Sequence, residues 1–581
     1  MPNSLQVVLK LLSSVKELQL ILLVIRFWAT PLNSSGFETF YQTTFPGHSV
    51  GEGTELSSEC KSLTHKMKLG VIAGFIAILS ILPTTECLKS QGKAFVLTFL
   101  DNVVEYWQDL PLEVWVTNEG SSDATVSISA PRDNNLLLPE CTGDKTVNIS
   151  AGGQHHFSVC WWAKIMKGDA DVNNKVIRID SDVDVSVIAL NKEAFSADAF
   201  QVLPIDSLGS SYYSLVSGPG RDHPNTLAVI ATEDDTSVTI SVPETDITDG
   251  PPPAFNYRCL VHESGSTFTI RLFAHQVFYI MSFADISGTK ILASNPVAVF
   301  NGNTRAAEPA SESSRDHTCS QAISSGNWDK EYYYSPVYRS STPGDMIRVQ
   351  TNTPNTVITY SQANGQSGQV TLQTGEWTEL ALDDQAYLSS SNKFSAVACG
   401  VTQVGTPDGM IRDPSLRNLQ GVTQWTSSYV FPAVTSAEST LNGGTEQPYT
   451  LSYFQVTIAT ADRAGLRLDG ATVNPDCVAA PGPTSNPRES CVVVVSGGQS
   501  HVLNHVSGAE FGAYMFATND KETISTTLAL NAPAQCEETV MRRGDEIDND
   551  CDGSLDEEVC DGLDNDGDGK IDEDCQRKNI C

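Results

Sequence analysis

The fold is decided by a stretch that recurs four times along the chain: LEVWVTNEGSSDATVSI (residues 112–128), NTLAVIATEDDTSVTI (225–240), MIRVQTNTPNTVITY (346–360) and FQVTIATADRAGLRL (454–468). Each copy contains two short runs in which Val, Ile, Thr and Leu alternate with other residues, and Gly, Asp, Asn or Pro stands between the runs. Alternation of this kind, interrupted by turn residues, is typical of half-buried β-strands. We therefore interpret each copy as a β-hairpin.

A second pair of strand-like runs follows each copy, and an aromatic strand such as SSYYSL (210–215) opens the next repeat. Roughly seven strands in about 110 residues fit a module of β-sandwich size. We predict an all-β fold of four tandem sandwich-like repeats within a region spanning residues 88–535. The approximate repeat bounds are 93–208, 209–322, 323–421 and 422–530. The period does not distinguish a row of sandwiches from a closed ring or propeller-like array of the same units.

The chain is strongly acidic, with 36 Lys and Arg residues against 70 Asp and Glu residues and a net charge of −34. Such a surface repels phosphate backbones, so we expect no nucleic-acid partner. Fourteen cysteines without a CxxC pair favour disulfides in an oxidising compartment. The simplest pairing is local, and it predicts the bridges Cys141–Cys160, Cys477–Cys491, Cys536–Cys551 and Cys560–Cys575.

Residues 69–82, LGVIAGFIAILSIL, form an apolar run directly behind Met67 and Lys68. The run is short for a membrane span and suits the apolar region of a secretory signal. We predict that residues 67–87 are a signal peptide, that residues 1–66 are a doubtful leader, and that the protein is secreted.

An uncleaved anchor is the alternative interpretation of the same run. Residues 69–86 would then hold the protein in the membrane as a single span, with residues 88–581 outside. Only in this case do we expect a membrane partner.

Residues 536–581 form an Asp-rich C-terminal region in which a D-x-D-x-D-G pattern occurs twice, sixteen residues apart. Alternate oxygen ligands followed by a Gly turn are the arrangement of calcium-binding loops, so we predict Ca²⁺ as the cofactor. The predicted ligands of the first loop are Asp548, Asp550, Asp552, the Ser554 carbonyl and Asp556. Those of the second loop are Asp564, Asp566, Asp568, the Lys570 carbonyl and Asp572.

Position 12 of an EF-hand loop carries a bidentate Glu. Val559 and Cys575 stand there instead, so the two loops are not EF-hands. CDGLDNDGDG (560–569) resembles the Asp-rich repeats of secreted proteins and the thrombospondin type 3 loops. That resemblance implies a small tail stabilised by cystines and metal.

Two short motifs add weaker candidates. Arg543-Gly544-Asp545 is the tripeptide that integrins read, and a linker is the plainer interpretation of it. Asn148-Ile149-Ser150 is a glycosylation sequon, and we predict that Asn148 is modified. HExxH, GxSxG and Walker motifs do not occur.

Three stretches resemble the N-terminal region of the IgGFc-binding protein family: FSADAFQVLPIDSLGSSYY (195–213), AVIATEDDTSVTI (228–240) and SNPVAVFNGN (294–303). The resemblance extends over roughly residues 93–530. It implies a β-rich extracellular protein of mucus or secreted matrix, and in the best-known member this region binds immunoglobulin Fc. HTCSQAISSGNWDKEYYY (317–334) departs from the family pattern, because Cys319 and Trp328 remain while a Gln-Leu-Pro core and a Gly after the Trp do not.

These observations together predict a non-catalytic extracellular binding or matrix protein with an extracellular protein or glycan as its ligand. Four similar modules multiply a surface and do not build one unique active site. A secreted hydrolase in a β-scaffold and a membrane-anchored adhesion protein are the alternatives.

Overall fold

The computed structural model describes residues 88–102, 110–166, 171–218, 223–244, 253–257, 260–309, 311–336, 344–403, 410–437 and 445–531. The predicted leader, signal peptide or anchor, and acidic C-terminal region lie outside these ranges.

Four units follow one another, and each contains seven equivalent strands that we letter A to G in chain order. Unit 1 contains β1 (Gln91–Leu97), β2 (Leu112–Thr117), β3 (Ala124–Ser129), β4 (Thr146–Ile149), β5 (Gln154–Val159), β7 (Ile177–Glu193) and β8 (Ser196–Val202). Unit 2 contains β9 (Ser211–Tyr213), β10 (Asn225–Ala231), β11 (Thr236–Ser241), β14 (Thr267–Leu272), β15 (Val277–Ser282), the pair β16 (Lys290–Ala293) and β17 (Val297–Ala306), and β18 (Asp316–Gln321).

The same order continues in the second half of the chain. Unit 3 contains β19 (Asp329–Tyr334), β20 (Asp345–Gln350), β21 (Thr356–Gln362), β22 (Ser367–Leu372), β23 (Trp377–Leu382), β24 (Ala386–Cys399) and β25 (Leu416–Asn418). Unit 4 contains β26 (Ser428–Phe431), β29 (Leu451–Ala459), β30 (Leu466–Leu468), β31 (Ala471–Thr472), β33 (Arg488–Val495), the pair β34 (His501–His505) and β35 (Gly512–Asn519), and β36 (Glu522–Thr527).

Additional short elements lie between the lettered strands. The strands are β6 (Asp171–Asn173), β12 (Phe255–Tyr257), β13 (Leu260–His262), β27 (Thr435–Ser436), β28 (Gln447–Pro448) and β32 (Asp476–Ala480). A single α-helical turn spans Pro139–Thr142. The 3-10 turns are Asn134–Leu137, Trp161–Ala163, Ile205–Ser207, Ser325–Asn327, Val422–Gln424 and Arg463–Gly465.

Each unit consists of an outer sheet in the order D-C-F-A and an inner sheet in the order E-B-F-G. Position F belongs to both sheets. In unit 3, β24 pairs with β21 and β19 along its first half and with β20 and β25 along its second half. In units 2 and 4 two consecutive strands take the place of the single strand F. In unit 2, β16 lies in the outer sheet and β17 in the inner sheet, and in unit 4, β34 lies in the outer sheet and β35 in the inner sheet.

The predicted hairpins are wrong, although both strands of each one exist. Strand B pairs with E and F of the inner sheet, whereas strand C pairs with D and F of the outer sheet, as β10 and β11 show in unit 2. The turn residues between the two runs therefore carry the chain from one layer to the other. Alternation along a strand shows which face is buried, but it does not show which strand is the hydrogen-bonded neighbour.

Burial patterns separate the two layers. Strand β14 of an outer sheet alternates between exposed and buried residues, whereas β10 of the inner sheet is buried throughout. In β10, Leu227 and Val229 face the core of unit 2, while Ala228 and Ile230 pack into the cluster of unit 1. An inner sheet is thus covered on one face by its own outer sheet and on the other face by a neighbouring unit.

The four units close into a ring. Strands β8, β18, β25 and β36 are the four G strands, and they contact one another in the cyclic order of the units. The two ends of the described region, just before β1 and just after β36, meet where Ser90 N donates to Leu530 O at 2.8 Å and Leu530 N donates to Ser90 Oγ at 3.1 Å. The structure confirms an all-β fold of repeated sandwich-like units and arranges them as the closed ring rather than as a row.

Within the part of the chain that the structure describes, no helix has the length and apolar character needed to cross a membrane.

A tyrosine of strand A fixes the bend in strand F in three units. Tyr332 Oη donates to Phe394 O at 2.6 Å and accepts a hydrogen bond from Asp329 N at 2.8 Å. Tyr212 and Tyr429 make the equivalent bonds to Val297 O and Phe511 O. Each hydroxyl thereby satisfies a carbonyl at the point where the chain leaves one sheet for the other.

We expect Tyr332→Phe to lower the free energy of unfolding by about 1–3 kcal/mol, because it leaves a buried carbonyl and a buried amide without their partner. Chemical denaturation of the full chain measures this loss. Tyr360→Phe is the matched control, since the half-buried Tyr360 makes no hydrogen bond through its hydroxyl within the described residues. Equal effects of the two substitutions would contradict the role assigned to Tyr332.

Candidate functional site

The predicted calcium loops, the Arg543-Gly544-Asp545 tripeptide and the cysteines beyond residue 535 lie outside the described residues. Asn148 lies within them. It is exposed on β4, the edge strand of the outer sheet of unit 1, and it stands opposite Thr125 of β3. An edge position leaves room for a glycan, so glycosylation of Asn148 stays a prediction that the geometry permits.

Two of the predicted disulfides are confirmed. Cys141 and Cys160 are bonded with a Cα–Cα distance of 5.3 Å, and Cys477 and Cys491 are bonded with a Cα–Cα distance of 4.1 Å. Cys319 and Cys399 are free and buried. In the described ranges, the one cluster with metal-type ligand spacing is Cys477, Glu489 and Cys491. Both of its sulfurs are already used in a disulfide, so it offers no thiolates.

One residue at the same position of each G strand ties its unit to a neighbour. Gln201 Nε2 donates to Leu528 O at 2.9 Å, and Thr527 Oγ1 donates to Asn418 O at 2.8 Å. Asn418 Nδ2 donates to Gln321 O at 2.7 Å, and Leu203 N donates to Gln321 Oε1 at 2.8 Å. The four links run once around the axis of the ring and join every unit to the next.

Each unit also places one acidic residue near the start of its G strand. Asp316, Asp413 and Glu522 lie five residues before the linking residue of their units, whereas Asp198 lies three residues before Gln201. All four are buried. Asp198 lies between strands of different units, because its carboxylate accepts hydrogen bonds from Ala199 N at 2.9 Å and from Cys319 N at 3.0 Å. Backbone amides of Leu416 and Ser525 also favour its charged form.

The four carboxyl groups interact through the protein interior. Burial raises the pKa of Asp316, and the charges of Asp413, Glu522 and Asp198 raise it further. Thr523 N donates to Asp316 Oδ2 at 3.2 Å and partly offsets the rise. Buried like charges of this kind favour protonation of some members at neutral pH.

Sequence reasoning missed these acids because it treated Asp and Glu as surface residues. A signal was nevertheless present in repeats 2 to 4, since Asp316, Asp413 and Glu522 each stand five residues before the linking residue of the last strand. Repeat 1 has Ser196 at that position and Asp198 two residues later. The recurrence predicts an equivalent position, but a strand pattern alone does not show that the position faces the axis of a ring.

A cavity of about 20 Å³ lies on the axis between the G strands of all four units. Its lining includes Gln201, Gln321, Asn418 and Thr527, the residues that link the units. A space of this size has room for about one water molecule. It is shared by the four units and does not form a substrate pocket within one of them, so it gives the hydrolase alternative no support.

The outer sheets of units 2 and 3 present hydroxyl groups to the outside. In unit 2, Thr239 Oγ1 lies 3.1 Å from Thr269 Oγ1 of the neighbouring strand, and Leu292 next to them is 48% exposed. In unit 3, Thr359 Oγ1 lies 3.1 Å from Ser389 Oγ. These faces are the surfaces that the repeat multiplies, and their hydroxyl groups can both donate and accept hydrogen bonds.

We expect Asp413→Asn to change how stability depends on pH. Burial raises the pKa of Asp413 to about 6, whereas an unfolded aspartate titrates near about 3.9. The folded state therefore holds this proton more tightly, and the ionised carboxylate destabilises the fold as the pH rises from about 4 to about 6. Relative to wild type, Asp413→Asn should become more stable by up to about 3 kcal/mol between pH 4 and pH 7.

Urea denaturation of both proteins across this pH range provides the measurement. Burial lowers the pKa of His317 to about 3. Because His317 titrates in both proteins, its contribution cancels in the difference between their stabilities. Asp182→Asn is the control, because a hydrogen bond from the Thr125 backbone lowers the pKa of Asp182 and predicts a pH dependence of opposite sign. A stability difference for Asp413→Asn that stays constant with pH would overturn the assignment.

Comparison with solved structures gives weak similarities. The major pilin of Streptococcus pyogenes is 7% identical, and the match covers 75% of this chain and 98% of the pilin with a TM-score of 0.12. A tetra-tandem repeat from the extending region of a large adhesion protein is 12% identical, and the match covers 76% of this chain and 99% of that one with a TM-score of 0.09. TM-scores this low carry no argument about fold or function.

Comparison with known sequences is more informative. The human IgGFc-binding protein is 25% identical over 356 residues, which are 60% of this chain and 6% of that protein. The chain thus matches a small part of that relative's length. The family model described as IgGFc binding protein matches residues 198–517, from the last strand of unit 1 into β35 of unit 4. Since this match spans more than half of the chain, the protein belongs to the IgGFc-binding protein family.

Proposed function

We propose that the protein is a non-catalytic extracellular binding protein whose closed ring presents the outer sheets to a protein ligand. The observation that carries this proposal is the family match over residues 198–517. The relative's name states that it binds IgG Fc, which makes an extracellular protein the class of ligand to test first. The ring adds rigidity, and rigid presentation lowers the entropy lost on binding.

The outer faces of units 2 and 3 are the proposed contact surfaces. Thr239 and Thr359 hold the same position on strand C of the two units, and each has a hydroxyl partner on a neighbouring strand. Repetition of one surface at two places allows a ligand with repeated or extended features to bind both, which raises avidity.

Surface plasmon resonance on the immobilised full chain, with Fc fragment and a mucin-type glycoprotein as separate analytes, tests the proposal. We expect saturable binding of at least one analyte, and at least tenfold weaker binding of that analyte to Thr239→Arg/Thr359→Arg. Thr125→Arg on the outer sheet of unit 1 is the matched control and should leave binding unchanged. Failure of both analytes to bind, or binding that the double variant retains in full, would reject the proposal.

The proposal extends to the acidic C-terminal region as a calcium-binding tail. Its support is the duplicated D-x-D-x-D-G spacing of residues 548–556 and 564–572. Without a cation, carboxylates this close repel one another, so the energy of folding such a segment is largely energy of metal binding.

Calorimetric titration of the full chain with Ca²⁺ should show saturable sites, and Asp564→Asn/Asp568→Asn should remove the second one. Asp123→Asn/Asp234→Asn makes the same change of charge in exposed residues of units 1 and 2 and should leave the titration unchanged. Weak heats without saturation, equal in all three proteins, would show that the region attracts cations only diffusely.

Secretion is part of the proposal and is supported by the two disulfides, which require an oxidising compartment. Removal of residues 67–87 predicts a mature N-terminus near residue 88, and N-terminal sequencing of protein from culture medium checks it. Recovery only from membranes, with residues 69–86 retained, would favour the membrane-anchored alternative.

A further inference from the structure

Each inner sheet ends in strand E, and the structure shows how this edge is covered in three of the four units. In unit 2, β15 is extended by β6, a strand contributed by unit 1, with Asn173 opposite Val277 and Asp171 opposite Tyr279. The edge of one unit is thus completed by a segment that reaches across from the preceding unit. An uncovered edge exposes unpaired N–H and C=O groups, to which a strand of another chain can form hydrogen bonds.

Both disulfides lie at covered E edges. In unit 4, β32 pairs with the edge strand β33, and Cys477 stands directly opposite Cys491. In unit 1, the helical turn Pro139–Thr142 packs against β5, and the Cys141–Cys160 disulfide ties that turn to the end of the strand. The fold therefore protects these edges by covalent as well as by hydrogen-bonded means.

Unit 3 differs. Its edge strand β23 pairs with β20, and in the described ranges no strand or helix pairs with its other side. The preceding loop of unit 2, residues 283–289, corresponds in position to the segment that supplies β6 but is much shorter. It reaches only Arg348 and the start of β23, where Asp285 Oδ2 lies 2.8 Å from Arg348 Nη1 and Gly288 lies against Trp377.

Beyond this contact, no strand or helix among the described residues covers the edge of β23, and the residues around this edge are acidic. Glu379 and Ala381 are exposed. Residues 373–385 contain four carboxylates and no Lys or Arg: Glu376, Glu379, Asp383 and Asp384. One of the four, Glu379, is paired with Arg348 at 3.1 Å, which leaves the other acids to attract a basic partner.

We propose that the open edge of β23 docks an extended segment of an extracellular partner protein that carries Lys or Arg at alternate positions. The segment adds to the inner sheet of unit 3 as an extra strand, as β6 and β32 do in units 2 and 4. Main-chain hydrogen bonds hold it, and the flanking carboxylates select the basic side chains. This inference rests on the proposed protein-binding function and adds a second contact site to the outer faces of units 2 and 3.

The test uses the full chain and a seven-residue probe peptide of alternating Lys and Val. Fluorescence anisotropy measures its dissociation constant, and hydrogen exchange followed by mass spectrometry locates it. We expect slower exchange of the amides of residues 377–382. Glu376→Gln/Asp383→Asn should weaken binding at least fivefold, whereas the matched neutralisation Asp123→Asn/Asp234→Asn should not.

Two further peptides carry N-methyl groups on alternate backbone nitrogens. In one peptide the methyl groups block hydrogen bonds along one edge of the strand, and in the other they block those along the opposite edge. Strand addition requires that one of them fails to bind while the other binds like the parent peptide. Equal binding of both, or protection that appears on the outer-sheet edges β14 or β22, would overturn the proposal. If the parent peptide fails to bind while Fc fragment or mucin still binds, the site at β23 is wrong and the proposed function stands. If the peptide binds and neither Fc fragment nor mucin does, the site at β23 stands and the proposed contact surfaces are wrong.

Discussion

Burial of the second face of each inner sheet is the constraint on which the structure depends. Strands such as β10, β8 and β36 are buried along their whole length, so a single unit cannot hide both of their faces with its one outer sheet. Each large apolar side chain left exposed would cost about 1.5–3 kcal/mol. Phe200 of unit 1 and Phe300 of unit 2 illustrate the solution, because their rings meet edge to face at 5.5 Å across the boundary. The units therefore stabilise one another and are not independently folded domains.

Closure of the ring brings the four G strands together on its axis. Each strand contributes an acid and a hydrogen-bonding side chain to a space with little water. The links through Gln201, Gln321, Asn418 and Thr527 are directional, whereas apolar packing on an axis shared by similar units would be compatible with several registers. The buried acids cost stability when they are charged, and the hydrogen bonds between the units offset part of that cost.

The same architecture controls the edges of its sheets. Strand F joins the two layers, and the G edge of each inner sheet packs against other units at the axis, so the E edge is the inner-sheet edge that has to be covered by other means. Disulfides or borrowed strands cover it in units 1, 2 and 4. The short loop 283–289 of unit 2 does not extend far enough to do so for unit 3. The loop between strands E and F is thus long enough in unit 1 to cover the edge of the next unit and too short to do so in unit 2.

The sequence by itself determined the all-β class, the four repeats and the local disulfides, because alternation, turn residues and cysteine spacing are properties of neighbouring residues. It also carried the family resemblance through stretches such as residues 195–213. Tertiary structure decided which strands pair: runs joined by a short turn went to opposite sheets, since strand B must be buried on both faces and strand C on one. It also decided that the ring closes, through contacts between Ser90 and Leu530 that no local pattern encodes. The burial of Asp198, Asp316, Asp413 and Glu522 follows only from that closure, because the residues that desolvate them come from other units.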